Sequence, residues 1–259
     1  MVQVLNVYAL PKLAASQEII GGTAVAIDVL RASTTIVHAL EAGAKSVIPC
    51  LEVEDAKTTA AKLPQGTAIL GGERKGLPIE GFDLGNSPTD YTPERVQGKI
   101  VVFTTTNGTR ALLQCRFASR VYVGAFVNAA ALCDRLQGKE QIHLVCAGTR
   151  GQISQDDILL AGLLVQRLQQ RGRMVYKLNA QALTAQESWL AASAIPCGMG
   201  AEPLAPELLA QRLRQTPGGR NLVSIGQEDD ILTASRLDRF SSVPLLDPQS
   251  LRIRPAESG

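Results

Sequence analysis

Short apolar runs alternate along this chain with longer stretches whose apolar residues recur at helical spacing. TAVAID (23–28), SVIPCL (46–51), TAILGG (67–72), KIVVFT (99–104), RVYVGA (120–125) and IHLVCAG (142–148) are almost continuously apolar and end in small or polar residues. Such runs predict strands buried on both faces of a sheet. Between them TTIVHALEAG, VEDAKTTAAKL, GTRALLQC, NAAALCDRL and DDILLAGLLVQRLQQRG read as helices, the last stopped at Arg171-Gly172. The alternation predicts βαβ units and an α/β fold. In the remaining section, TAQESWLAAS reads as a helix, GMGAEPLAP as a loop and PELLAQRLRQT as a helix. GGRNLVSIG reads as a turn feeding a strand, QEDDILTASRLDRF as a helix, and the tail after Pro248 as polar and loose.

A weak self-similarity runs through the first part at an offset of about 72 to 74 residues. It sets Ala39-Leu40 on Ala111-Leu112, Ser33-Thr34 on Thr105-Thr106, and Val47-Ile48 on Val121-Tyr122. ILGGERKG, from Ile69, resembles LVCAGTRG, from Leu144, with Gly72 and Arg74 opposite Gly148 and Arg150. Two readings stay open: a duplication of 1–90 and 91–165 followed by a C-terminal section 166–259, or chance likeness inside one unit spanning 1–259. In a duplicated chain the site would sit where the loops of the two halves meet.

Composition narrows the function. Of 259 residues, 45% are hydrophobic and 19% charged, an ordinary globular balance. A net charge of +2 with mixed signs, and 4% aromatics, exclude the basic stripe and stacking platforms of nucleic-acid binders. No apolar run is long enough to span a bilayer. Five scattered cysteines without a C-x-x-C pair (Cys50, Cys115, Cys133, Cys146, Cys197) and the lack of a signal-peptide pattern fit a reducing cytoplasm. With His38 and His143 the only histidines, any metal must be held by oxygen, which points to Mg²⁺ or Mn²⁺.

Five segments put polar and glycine residues where a strand meets a turn, the edge at which α/β sheets bind ligands. Asp28, Arg31, Ser33, Thr34 and Thr35 open a helix, where free N–H groups attract anions; Ser33 or Thr34 could equally serve as its cap. Glu73 and Arg74 follow Gly71-Gly72 in a block running to Pro88, a functional loop or a solvated one. Thr104, Thr105, Thr106, Asn107, Gly108 and Arg110 have the make-up of a phosphate cradle, with an Asn-Gly turn as the plainer reading. Cys146 is one residue short of the C-x5-R spacing to Arg150 and reads as a small buried hydrophobe. In the same segment Ser154 suits a cap, and Asp156 or Asp157 a first-turn charge or a metal ligand. Gly218, Gly219, Arg220 and Asn221, with Asp229 and Asp230, form the weakest segment.

At DVLRASTTI, GGERKGLPIEGFDLGNSP, TTTNGTRAL, CAGTRGQ through DDILLAG, and GRNLVSIGQEDDI, the chain resembles the 2-phosphosulfolactate phosphatase family. The resemblance implies a three-layer α/β/α fold with a largely parallel or mixed sheet. It also implies a Mg²⁺-dependent hydrolase converting 2-phospho-3-sulfolactate to 3-sulfolactate and phosphate, a step associated with coenzyme M biosynthesis. A leucine and a glutamate are expected where Gln155-Asp156 stand, which makes Asp157 the safer metal ligand. On this basis Asp28, Glu73 and Asp157 are expected to hold the ion. Arg31, Asn107, Arg110 and the 104–108 backbone should meet the phosphoryl group, with Ser33, Thr34, Thr105, Thr106 and Gly108 beside it. Arg74 or Arg150 should meet a sulfonate or carboxylate. The rivals are a phosphatase for another small acidic phosphoester and a non-catalytic metabolite-binding protein. The expected partner is a small phosphorylated sulfonate or hydroxy acid, with no nucleic acid or membrane; a homo-oligomer stays open.

Overall fold

The apolar runs form the middle of one eleven-stranded sheet in a computed structural model that describes residues 3–171, 175–193 and 205–256. The strands are β1 (Val4–Tyr8), β2 (Thr23–Ile27), β3 (Ser46–Pro49), β4 (Ala68–Arg74), β5 (Leu77–Pro78), β6 (Ile100–Thr104), β7 (Arg120–Gly124), β8 (Gln141–Cys146), β9 (Lys177–Leu178), β10 (Pro244–Asp247) and β11 (Arg252–Pro255). Their order is β5-β4-β6-β3-β11-β10-β7-β2-β8-β1-β9. Two parallel groups, β4-β6-β3 and β7-β2-β8-β1-β9, are joined by the antiparallel β10–β11 hairpin. The sheet is therefore mixed.

The helices are α1 (Ser16–Ile19), α2 (Ala32–Glu41), α3 (Val53–Ala61), α4 (Pro93–Val96), α5 (Gly108–Cys115), α6 (Ala129–Leu136), α7 (Gln155–Arg171), α8 (Ala180–Ser193), α9 (Pro206–Arg214), α10 (Pro217–Ser224) and α11 (Asp229–Ala234). Successive strand residues point to opposite faces, so β2 sends Val25 and Ile27 into one apolar cluster and Ala24 and Ala26 into another. The first cluster is closed by α6, α7, α8 and α9, and the second by α2 and α5. On β6, Val101 and Phe103 join α2 and α5, while Ile100 and Val102 pack with Ala56 of α3 on the opposite face. This alternation makes three layers, α/β/α, and explains why these strands are largely apolar on both faces. Among the described residues no helix is long and apolar enough to cross a membrane.

The runs β2–α2–β3–α3–β4 and β6–α5–β7–α6–β8 share one layout with their first strands exchanged: β6 lies between β3 and β4, and β2 between β7 and β8. Ile100 faces Ser46 and Ala68, while Thr23 faces Arg120 and Ile142. The outer partners are thus related by one 74-residue step (46 to 120, 68 to 142), and the central strands by a 77-residue step (23 to 100).

Three expectations from the sequence are corrected. GGRNLVSIG is helix α10: Pro217 stands in its first turn, Thr216 Oγ1 accepts from Gly219 N at 3.0 Å, and Leu222 is buried. The glycines serve helix packing, since a Cβ on Gly219 would overlap the Leu213 carbonyl of α9. The helix expected over 227–240 stops at Ala234, and Asp238 takes a left-handed φ of 57°. The tail after Pro248 turns back as β11 and buries Ile253 completely. Gly172, Cys197 and most of GMGAEPLAP lie outside the described residues.

Candidate active site

Parallel β2 and β8 end side by side at Ile27 and Cys146, and β4 and β6 at Gly72 and Thr104. The four segments that follow, together with α10, enclose a cavity of about 380 Å³. Asp28, Leu30 and Arg31 line it after β2, Glu73 at the end of β4 with Lys75 and Gly76 beyond it, Thr106 and Asn107 after β6, and Thr149, Arg150, Gln152 and Ile153 after β8. Asn86, Pro217, Gly218, Asn221 and Leu222 complete the wall.

Asp28 and Glu73 are the acids in this lining, and Asp28 is strongly perturbed. Burial, then the nearby carboxylates of Asp156 and Glu73, push its carboxyl up to about 7, against the lowering effect of the Ala32 N–H and Arg31. Gly108 lets the start of α5 come against it: a Cβ there would lie 2.5 Å from Ala32 Cβ and 2.7 Å from Asp28 Oδ2. Behind Asp28, Asp157 accepts from Val29 N at 2.9 Å and Gly148 N at 3.0 Å, tying the ends of β2 and β8 together. Burial pushes its carboxyl well up, and Asp156 and Asp28 add to that. Asp156 accepts from Ser154 Oγ at 2.6 Å, and its carboxyl is also raised by burial. Glu73 is buried and ties two segments: its oxygens accept from Gly76 N at 2.6 Å and Thr106 N at 2.7 Å.

Arg31 is committed. Nη1 donates to Asp230 at 2.7 Å and to Gln227 Oε1, and Nη2 donates to the Gly76 carbonyl at 2.8 Å. The ion pair is almost fully buried, with side-chain exposures of 3% and 4%, and Asp230 also accepts from Ser87 Oγ at 2.6 Å. Arg31 therefore pins the start of α2 to α11 and to the turn after β4, and shows the cavity a partly neutralised guanidinium.

A family model described as 2-phosphosulpholactate phosphatase matches residues 8–249. The chain is 38% identical over 231 residues to a probable 2-phosphosulfolactate phosphatase of Symbiobacterium thermophilum, covering 89% of this chain and 93% of the relative. A relative of the same description from Thermotoga petrophila is 38% identical over 86% of this chain and 88% of its own length. Another, from Clostridium beijerinckii, is 41% identical over 62% of this chain and 73% of its own length. This chain belongs to the 2-phosphosulpholactate phosphatase family.

The family site residues expected from the sequence separate into two groups here. Asp28, Arg31, Glu73, Thr106, Asn107 and Arg150 line the cavity. Ser33, Thr34, Arg74, Thr105, Gly108, Arg110 and Asp157 are outside its lining. Ser33 Oγ accepts from Asp28 N, Thr34 Oγ1 donates to the Val29 carbonyl, and Thr105 and Thr109 bond each other across the turn into α5. Arg74 points away, donating to the Glu73 and Leu51 carbonyls and to Thr104 Oγ1. Arg110 is exposed on α5, and Asp229 is exposed on α11. Cys146 is fully buried, which raises its thiol far above the usual range and leaves it no nucleophile. Lys75, Asn86, Thr149, Gln152 and Ile153 were not singled out; all lie inside the glycine-rich blocks, whose composition was the available signal.

A Mg²⁺ ion finds a partial fit. Among the described residues no group of three or more His, Cys, Asp or Glu is placed to hold a metal. Asp157 is occupied by two backbone N–H groups, and Glu73 by two more. Asp28, however, is a cavity-facing carboxyl crowded by other acids, and Asn86 Oδ1 and Thr106 Oγ1 are buried cavity-wall oxygens without partners. Mg²⁺ often takes only one or two protein carboxylates, with water and phosphate oxygens completing its shell, and this donor set suits that mode.

Proposed function

We propose that this chain is a Mg²⁺-dependent phosphomonoesterase that hydrolyses 2-phospho-3-sulfolactate to 3-sulfolactate and phosphate. The observation that carries the reading is Asp28: an acid raised to about 7 by burial and by Asp156 and Glu73, in a cavity with unpartnered Asn86 and Thr106 oxygens. Membership of the family and the relatives' printed descriptions support the substrate. On this reading the chain would act in coenzyme M biosynthesis, and we propose the cytoplasm as its compartment.

Asp28 and Asn86 Oδ1, both in the cavity wall, would hold the ion. Bound Mg²⁺ neutralises phosphoryl charge and lowers the cost of bringing an anion beside these acids. Thr106 Oγ1 and the Asn107 side chain offer polar contacts at the start of α5, where the phosphoryl oxygens belong. Arg31, held by Asp230, keeps the β2–α2 turn in place so that Asp28 faces the same point. Leu30, Ile153 and Leu222 supply the apolar part of the cavity wall.

The test is phosphate release from 2-phospho-3-sulfolactate by the purified chain. Release that stops with EDTA and returns with Mg²⁺ supports the reading. Equal or faster turnover of 2-phospholactate would move the substrate to another acidic phosphoester. Tight binding of phosphosulfolactate without release, with Mg²⁺ present, would make the chain a binding protein.

A further inference from the structure

Two turns at the cavity share an uncommon construction. β4 and β5 pair Glu73 with Pro78 and Arg74 with Leu77, leaving Lys75-Gly76 as a two-residue hairpin turn. Beyond β8, Thr149 bridges Gln152, leaving Arg150-Gly151 in the same position. Both residues of each turn have positive φ: 55° and 85° for Lys75 and Gly76, 53° and 76° for Arg150 and Gly151. Such turns favour Asn, Asp or Gly at the first position, because a longer side chain in the left-handed region costs about 1–2 kcal/mol. Here both first positions hold a cation, and both cations line one cavity. The turns follow β4 and β8, which hold corresponding places in the two strand-exchanged groups.

The backbones of these turns are fixed, while their side chains are not. Glu73 Oε2 accepts from Gly76 N, and Asn107 Oδ1 accepts from Arg150 N at 3.2 Å. The Lys75 and Arg150 side chains are exposed, and among the described residues neither has a hydrogen bond or ion pair. The third cation of the cavity, Arg31, is already taken by Asp230. Two uncommitted cations, held on strained turns above an interior that contains Asp28 and Glu73, suit an anion at the cavity mouth rather than in its depth.

We propose that Lys75 and Arg150 form a two-sided clamp for the non-transferred anionic end of the substrate, its sulfonate or carboxylate, and so select phosphoesters with an anionic tail over those with a neutral tail. This rests on the cavity being a site for an anionic phosphoester. Lys75→Asn and Arg150→Asn are the variants of choice, because Asn accepts the left-handed region readily and preserves the turn while removing the charge. The purified variants are compared with wild type on 2-phospho-3-sulfolactate and n-propyl phosphate with Mg²⁺ present. The ratio of kcat/KM for the sulfonated over the propyl ester falls about tenfold or more in each variant, through a higher KM for the sulfonated ester. An unchanged ratio, whether both substrates suffer equally or neither does, overturns the clamp.

Calorimetric titration with 3-sulfolactate reads the clamp without turnover, and decides the matter should wild type leave propyl phosphate untouched. Affinity about tenfold weaker in each variant supports the clamp; equal affinity, or no binding by wild type, overturns it. A wild type that binds 3-sulfolactate but hydrolyses neither ester would sink the phosphatase reading alone, and weaker variant binding would still support the clamp.

Discussion

Where β2 hands over to α2 the chain places Asp28, and at the corresponding point between β6 and α5 it places Thr105. Arg31, which leads into α2, corresponds in the same way to Gly108 at the start of α5. The Asp28 side carries a raised acid and a buried Arg31–Asp230 pair. The Thr105 side carries reciprocal threonine hydrogen bonds and a glycine that lets its helix approach Asp28. The hairpins differ as well: Gly76 is tied down by Glu73 and sits near Asn221, whereas nothing lies within 4 Å of a Cβ built on Gly151. The two groups share one layout, yet one brings the raised acid Asp28 to the cavity and the other brings Thr106 and Asn107.

The largest test of that contrast is Asp28→Asn against Thr105→Val. Asp28→Asn should lower the rate of phosphate release at least about a hundredfold. Thr105→Val should lower it far less, under about tenfold, and cost about 1–2 kcal/mol in urea unfolding by leaving Thr109 N–H short of a partner. Comparable rate losses would erase the distinction between the two sides.

Asp230→Ala comes next, because it leaves the Arg31 charge buried and unpaired. A loss of about 3–5 kcal/mol in urea unfolding is expected. A loss under about 1 kcal/mol would mean that the pair is not the latch between α2 and α11.

The pH dependence separates the sides more gently. In the unfolded chain Asp28 releases its proton near 3.9, but in the folded protein it keeps it up to about 7. Between those values the folded state binds more protons, so Asp28 stabilises the metal-free protein at low pH, and that contribution is lost as pH rises through about 7. Asp156 and Asp157 shift in the same direction. The thermal midpoint without Mg²⁺ should therefore carry a component that falls between about pH 4 and pH 7, and Asp28→Asn should flatten it. A slope unaltered by the substitution would place the proton elsewhere.

The smallest effect compares the hairpin tips. Gly151→Ala should cost about 1 kcal/mol, from its φ of 76° alone. Gly76→Ala should cost more, since its Cβ would meet Asn221 Nδ2 at 3.0 Å and Ile225 Cδ1 at 3.1 Å. Equal unfolding free energies for the two variants would show that contact with α10 does not matter.

Six strands were legible because most of their residues are covered on both faces, which forces a continuous apolar run such as TAVAI in β2 or IVVFT in β6. β1, β10 and β11 were missed because VLNVY, PLLD and RIRP carry polar residues at positions that are not fully buried, and each is fixed in the sheet by a strand distant in sequence, β8, β7 and β3 respectively. In the site, Asp28 and Glu73 announced themselves as acids at strand ends. Arg74, Arg110 and Arg150 all looked alike, each an arginine beside a glycine- or hydroxyl-rich turn. The left-handed backbone at Arg150 turns one into the cavity wall, the bonds to Leu51 and Thr104 turn another away, and the third lies exposed on α5.

The sequence by itself determined the α/β class, the strand-end loops and the acids and glycines within them, because burial and turn geometry restrict residue type locally. Only the tertiary structure decided the exchange of first strands between the two groups, the pairing of Arg31 with Asp230 about 200 positions away, and the meeting of Lys75 with Arg150 at one cavity. Those outcomes depend on sheet register and side-chain direction, which are set by contacts between segments far apart in the chain.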